Sequence, residues 1–212
     1  VEAELNGRRV MAHLPNSGRL VTVLIPNAIA FLMERRRVGR KSGYDLFAIE
    51  HSGVPIIVDT RFSTAAAQTA IMDGQFRLLK GYRVARRNAR ANNALLDLLL
   101  EREAQQFFLE IKCVTHVVNG LAMFPDAPTQ RGRKHLNTLI HLIKQGFGAG
   151  VLFSVQRPDA EKIRPHRKMD PLFAQLLEEA IKNGVKIFTQ TLIFKPPNMV
   201  ETVSNSPSFS LA

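Results

Sequence analysis

The first sixty residues alternate short apolar stretches with turn-forming residues, a pattern typical of β-strands. Residues 2–5 and 8–11 flank Asn6-Gly7, which is a strong hairpin signal because both turn positions require a positive φ. Further extended segments are expected at residues 20–25, 28–34, 44–50 and 56–59. Several short strands with little helix predict a small closed or half-closed β-barrel over residues 1–62.

The periodicity changes near residue 62 and then predicts helices that alternate with strands. Helices are expected from a Ser63 cap to about Met72, over 131–145, and from an Asp170-Pro171 cap to just before Gly184. Strands are expected at 95–100, 106–114, 150–155 and 185–194. This alternation indicates an α/β domain over residues 63–212. The polar tail after Pro197 is expected to fray.

The predicted hairpin of residues 95–114 carries the candidate chemistry. Asp97 is an isolated carboxylate in an apolar strand, and Glu110 and Lys112 share one face of the second strand because side chains alternate. A turn centred between residues 103 and 104 places Asp97 opposite Glu110, with their Cβ atoms about 5 Å apart. Two carboxylates this close require a proton or a hard cation such as Mg²⁺. The plainer alternative is an ion pair of Lys112 with Asp97 or Glu110.

The charge balance points to a polyanionic partner. The 212 residues include 29 Lys plus Arg against 18 Asp plus Glu, a formal net charge of +11. No acidic residue occurs between Asp73 and Asp97, where the basic residues are Arg77, Lys80, Arg83, Arg86, Arg87 and Arg90. A second basic group opens the predicted helix near residue 131: Arg131, Arg133, Lys134 and His135. Because Lys and Arg bind phosphates with release of counterions, the charge favours a nucleic-acid partner. The plainer alternative is a generally basic, well-solvated surface.

Composition also bounds the location. A single cysteine, Cys113, excludes an intramolecular disulfide framework and favours a reducing, cytoplasmic compartment. No apolar run approaches the roughly 20 residues that a membrane-spanning helix needs, so no membrane contact is expected. A homodimer is left open by the sequence.

The chain resembles the sugar fermentation stimulation protein family over nearly its whole length. The most specific motif is Phe-Pro-Asp-Ala-x-Thr-x-Arg-Gly followed by Lys-His-Leu, at residues 124–136. Other matching motifs are His13 to Arg19, Arg40-Lys41, Asp59-Thr60, Gly81-Tyr82, Asp97 and Glu110-Ile111-Lys112. The resemblance implies an N-terminal OB-like β-barrel and a C-terminal restriction-endonuclease-like α/β domain with a mixed sheet. It further implies DNA binding with little sequence preference and a regulatory link to sugar metabolism.

The candidate site residues fall into two groups. Asp97, Glu110 and Lys112 are the candidate catalytic residues, and Asp97 and Glu110 are the candidate ligands of a metal, Mg²⁺ or Mn²⁺. The candidate nucleic-acid contacts are Arg19, Arg40, Lys41, Arg86, Arg87, Arg90, Arg131, Lys134 and His135. Binding to DNA, double- or single-stranded, is itself expected to need no cofactor.

Two departures from the family pattern affect the expected activity. Family members carry a Glu shortly after the Gly-Tyr pair, where this chain has Asn88, and a Ser-Arg pair where it has Ala94-Leu95. Asparagine offers an uncharged oxygen to a hard cation, and leucine cannot clamp a phosphate as arginine does. A DNA-binding protein with weak or undetectable nuclease activity is therefore expected. The alternatives are an active Mg²⁺-dependent nuclease and an enzyme that acts on a phosphorylated sugar, the latter supported by the basic pocket alone.

Overall fold

The computed structural model describes residues 1–16, 18, 20, 22–35 and 39–211. Within these ranges the chain forms three α-helices and three β-sheets. In the same ranges no helix is long and apolar enough to cross a membrane.

The N-terminal strands form a small barrel. They are β1 (Glu2–Leu5), β2 (Arg8–His13), β3 (Ala30–Glu34), β4 (Tyr44–His51) and β5 (Val54–Ile57). Their order is β1-β2-β4-β3, with β5 also paired to β4, and β2 runs parallel to β4. The predicted β1–β2 hairpin is confirmed, since Asn6 and Gly7 have φ values of 53° and 75°. Apolar side chains such as Leu46, Ile49 and Ile56 fill the interior.

One predicted barrel strand is absent. Residues 20 and 22–25 form turns, in which the amides of Val23 and Leu24 both donate to the carbonyl of Leu20. Leu20 and Val23 are nevertheless buried in the barrel core. The apolar run therefore forms core, as its composition indicates, but the prediction that it is extended is wrong.

A large mixed sheet forms the centre of the rest of the chain. Its order is β14-β13-β11-β8-β7-β6, and β11 runs parallel to both β8 and β13. Its strands are β6 (Arg83–Ala91), β7 (Ala94–Arg102), β8 (Gln105–Val114), β11 (Gly148–Val155), β13 (Lys186–Lys195) and β14 (Met199–Ser204). A smaller sheet has the order β15-β12-β10-β9 and is built from β9 (Val117–Val118), β10 (Leu121–Phe124), β12 (Lys162–Pro165) and β15 (Ser208–Phe209).

Helices cover both faces of the large sheet. α2 (Gln130–Lys144) and α3 (Pro171–Lys182) pack against one face, with Leu139 and Phe173 fully buried. α1 (Arg61–Met72) packs against the other face through Ala67, Ala70 and Ile71. The predicted α/β layering is therefore confirmed.

Three local predictions need correction. α1 begins at Arg61 after Thr60, so Ser63 is not its cap but a buried residue whose hydroxyl accepts from Gln156. The basic segment 83–91, for which no element was expected, is the edge strand β6. The tail after Pro197 does not fray, because β14 pairs with β13 and β15 pairs with β12.

The barrel packs directly against the α/β domain. Phe47 and Ile57 of the barrel share a core with Leu192 and Phe194 of β13. The amide of Ile57 donates to the carbonyl of Gln156 at 3.1 Å. This contact holds one side of the barrel beside the sheet that carries the candidate site.

Candidate functional site

The β7–β8 hairpin has the register that the sequence predicts. The pairs run from Arg102 opposite Gln105 to Leu98 opposite Leu109, and the paired register ends there, one position before Asp97 and Glu110. The backbone amide of Ile111 donates to Oδ2 of Asp97 at 2.6 Å. The hairpin therefore brings the two candidate carboxylates together.

Glu110 is a buried carboxylate, of which one oxygen has polar partners and the other has none among the described residues. It is 3% exposed, and its Oε1 accepts from Nζ of Lys112 at 2.6 Å and contacts Nδ1 of His135. Oε2 is buried and has no hydrogen-bond partner among the described residues. Burial alone would raise the pKa of Glu110, but the Lys112 ammonium and His135 outweigh it and hold that pKa below its usual value.

Asp97 is held closer to its neutral form. Burial, followed by the negative charge of Glu110, raises the pKa of Asp97 from 3.8 to about 7. The amide of Ile111 and the positive charges of Lys112 and Arg131 oppose this rise without cancelling it. Near neutral pH, Asp97 is therefore protonated in a fraction of the molecules, and a hard cation could replace that proton.

Lys112 lies beside the two carboxylates and contacts Glu110 directly. Its side chain is 11% exposed and its ammonium is paired with Glu110. The ion-pair alternative is therefore also present in the structure, and the two interpretations are compatible because Oε2 of Glu110 stays open. The neighbouring Cys113 donates to the Ser63 hydroxyl at 3.2 Å, and burial raises the pKa of its thiol to about 11, so it is no nucleophile.

The start of α2 forms one wall of the site. Thr129 caps the helix by accepting from the amide of Gly132 at 2.9 Å. A Cβ at Gly132 would lie 2.6 Å from Cγ2 of Thr129, so the close packing of Thr129 against the backbone at position 132 requires glycine there. The Asp170 carboxylate accepts from the Thr129 amide and from Arg133, each at 2.8 Å, and thereby joins the starts of α2 and α3.

A cavity of about 430 Å³ opens above the carboxylates. Its walls come from both domains and include Asn16, Leu20, Asp97, Glu110 and Asp126. The amide of Leu20 donates to Oδ2 of Asp126 at 3.3 Å and connects the barrel to the loop before α2. Sequence reasoning missed this wall, since the packing of the two domains creates it.

The candidate nucleic-acid contacts are distributed unevenly. Arg86, Arg87 and Arg90 are exposed on the edge strand β6, and Arg131, Lys134 and Lys41 are exposed as well. Arg40 is paired with the buried carboxylate of Asp45. His135 is only 3% exposed, so it belongs to the carboxylate site and not to the basic surface on which we expected it. Arg19 lies outside the described residues.

Asn88, the position at which the resemblance to the family implies a Glu, lies on the strand beside Asp97. The pairs Arg87–Leu98 and Ala89–Leu96 flank Asn88 and Asp97, which are not themselves paired but occupy opposite positions along the backbones of the two strands. Asn88 has a φ of 50°, in the left-handed region that Asn tolerates better than most residues. Within the described residues no group of three or more His, Cys, Asp and Glu side chains could hold a metal, so the pair of Asp97 and Glu110 has no third acidic partner.

Family models match both parts of the chain. Residues 1–58 match the SfsA N-terminal OB domain, and residues 61–198 match the sugar fermentation stimulation protein RE domain. A sugar fermentation stimulation protein homolog of Clostridium acetobutylicum is 37% identical over 87% of this chain and 80% of its own length. A homolog of the same name from Moorella thermoacetica is 37% identical over 89% of this chain and 82% of its own length.

A solved structure shows the same fold. Pyrococcus furiosus SfsA in complex with Ca²⁺ is 30% identical to this chain and superposes with a TM-score of 0.90. The match covers 96% of this chain and 87% of that protein. An N-terminal OB domain followed by an α/β domain with a mixed sheet is thus the fold of this chain.

Proposed function

Since the chain belongs to the sugar fermentation stimulation protein family, we propose that it is a DNA-binding protein with little sequence preference. The observation that carries the proposal is the exposed basic edge of the large sheet. Arg86, Arg87 and Arg90 are exposed on β6, which runs beside the carboxylate pair. The relatives are named for the stimulation of sugar fermentation, so we extend the proposal to the regulation of genes of sugar metabolism.

The basic edge supports contact with phosphates and not with bases. β6 presents its arginines from the edge of a six-stranded sheet, which is neither a helix nor a free two-stranded ribbon, the elements that fit the major groove. Arginine contacts to phosphate oxygens position a protein on DNA without reading sequence. Arg131, which lines the cavity together with Asp97, and Lys134 supply further positive charge at the exposed start of α2.

Salt-dependent DNA binding tests this proposal. Fluorescence anisotropy with a labelled duplex and a labelled single strand, both without divalent cations, should show affinity that falls steeply with salt. Replacing Arg86, Arg87 and Arg90 together by alanine should lower the slope of log K against log salt by about three units, one for each arginine that no longer neutralises a phosphate. The matched control replaces three exposed lysines near α3, namely Lys168, Lys182 and Lys186, and should change the slope little. Equal reductions of the slope in both variants would assign the binding to net charge and refute a defined interface.

The carboxylate pair supports a second candidate function, a metal-dependent nuclease of restriction-endonuclease-like type. The residues fit a hard divalent cation, because Glu110 keeps a buried oxygen without a partner among the described residues and Asp97 retains a proton that a cation can replace. Asp97 and Glu110 would hold Mg²⁺ or Mn²⁺, which would supply a polarised phosphate and a more acidic water. The Pyrococcus furiosus relative was solved in complex with Ca²⁺, which supports the proposal that this chain also binds a hard cation.

The same site argues for weak cleavage. Asn88, across the strand pair from Asp97, carries no negative charge, and fewer ligand charges mean weaker binding of hard cations. Incubation of plasmid and single-stranded DNA with Mg²⁺ or Mn²⁺ should therefore give little or no cutting. Robust cutting that disappears in the Glu110→Ala variant would instead establish the nuclease function.

A further inference from the structure

His135 connects the basic surface to the open carboxylate of Glu110. Its ring is buried at 3% exposure, with Nδ1 against Oε1 of Glu110 and Nε2 3.4 Å from Nε of Arg131. Residues 131 and 135 are four apart in α2, so both side chains lie on one face of the helix. The guanidinium of Arg131, the ring of His135 and the carboxylate of Glu110 thus contact one another in that order.

The donors and acceptors around His135 determine which of its ring nitrogens carries the proton. A guanidinium can only donate, so Nε2 of His135 must accept from Arg131. Nδ1 lies against Oε1 of the Glu110 carboxylate, which is an acceptor, so Nδ1 carries a proton and donates it to that oxygen. Nζ of Lys112 lies 3.4 Å from Nδ1, because both groups donate to the same oxygen. Lys112 is also a donor only, and its Nζ donates to the same Oε1 at 2.6 Å. Both donors therefore act on one oxygen, and Oε2 is left without a partner among the described residues.

We propose that His135 is a positioning residue that holds Oε1 of Glu110 and thereby directs Oε2 toward a bound divalent cation, while Arg131 fixes the ring tautomer. This inference rests on the proposed cation site. The terminal torsion of a Glu side chain is broad, so the carboxylate needs such an anchor to present one oxygen. Lys112 alone, with three rotatable donor protons, does not define that orientation.

A pair of conservative variants separates positioning from packing. The amide nitrogen of Asn is bonded to Cγ, as Nδ1 of His is, so His135→Asn keeps a donor for Oε1 of Glu110. The amide nitrogen of Gln is one bond further from the backbone, near the position of Nε2, so His135→Gln removes that donor. His141→Gln, at an exposed position later in the same helix, is the matched control.

Titration of the full chain with Mn²⁺, by calorimetry or electron paramagnetic resonance, gives the readout. His135→Gln should weaken Mn²⁺ binding by about 10- to 100-fold, the usual effect of removing a group that orients a metal ligand. His135→Asn and His141→Gln should stay close to the wild-type affinity. Equal affinities of the two His135 variants, whether both retained or both reduced, would overturn the positioning role.

Two measurements keep this test independent of folding and of the proposed function. The ¹⁵N shifts of His135 in the cation-free protein should show protonated Nδ1 and unprotonated Nε2, and the reverse tautomer would refute the proposal without any variant. Asp97→Asn reports on the cation site itself. Mn²⁺ binding by the wild type that is lost in Asp97→Asn but unchanged in His135→Gln refutes this inference alone. Absence of Mn²⁺ binding by the wild type refutes the cation site and the positioning role together.

Discussion

Replacing Asp97 by asparagine should stabilise the cation-free protein at pH 8 and abolish its stabilisation by divalent cations. The pKa of Asp97 is raised to about 7 in the folded protein, against an ordinary value of 3.8. Between these values the folded state keeps a proton that the unfolded state has released. The stability gained from that proton is present below about pH 4 and is lost as pH rises through 7.

The size of the effect follows from the two pKa values. From pH 5 to pH 8 the raised pKa of Asp97 lowers the free energy of unfolding of the wild type by about 2.6 kcal/mol, since one pKa unit corresponds to about 1.4 kcal/mol. Asparagine does not titrate, and its oxygen can still accept from the amide of Ile111. The free energy of unfolding of Asp97→Asn minus that of the wild type should therefore grow by about 2.6 kcal/mol from pH 5 to pH 8.

Urea denaturation with a chelator at the two pH values measures this difference. All other titrating groups are common to both proteins, so the comparison isolates Asp97. Addition of Mn²⁺ at ten times its Kd should then stabilise the wild type at pH 8 by about 1.4 kcal/mol and leave Asp97→Asn unchanged. A stability difference that is the same at pH 5 and pH 8 would refute the raised pKa. Equal stabilisation of both proteins by Mn²⁺ would place the cation elsewhere.

Two further substitutions test neighbouring parts of the site. Asn88→Glu should strengthen Mn²⁺ binding and restore part of any nuclease activity. It should also lower the free energy of unfolding by about 1–2 kcal/mol, because position 88 has a φ of 50°. Unchanged Mn²⁺ affinity in calorimetry would show that residue 88 does not reach the cation. Gly132→Ala should lower the free energy of unfolding by about 1–3 kcal/mol, because its Cβ would approach Thr129 to 2.6 Å. Gly43→Ala, which meets nothing within 4 Å, is the control and should stay within about 0.5 kcal/mol of the wild type in urea denaturation.

The sequence predicted the parts of the site that depend on local patterns. Strand alternation and the turn at residues 103–104 were enough to predict the hairpin register as far as Leu98 opposite Leu109, because a hairpin register follows from its turn. The Asp170 cap was likewise predicted, since a cap is decided by residues within one helical turn.

The remaining features depend on tertiary packing. β6 carries too few apolar residues to show strand alternation, and only its pairing with β7 makes it extended. His135 was expected on the surface because basic residues precede it, whereas α2 turns that position toward Glu110. The tail after Pro197 is polar, and it becomes a strand because β13 offers a free edge.

The irregularity at Asn88 and Asp97 explains how this chain keeps a carboxylate pair in an apolar sheet. Leu96 is buried toward α2 and Leu98 toward α1, although residues two apart in a regular strand share a face. The strand therefore turns over at Asp97, and that turn lets its carboxylate reach the amide of Ile111. Asn88, directly across, adopts the left-handed φ at little cost. A glutamate there would add a negative charge but strain the backbone, so Asn88 keeps the irregularity unstrained and forgoes a charge that the proposed cation site could use.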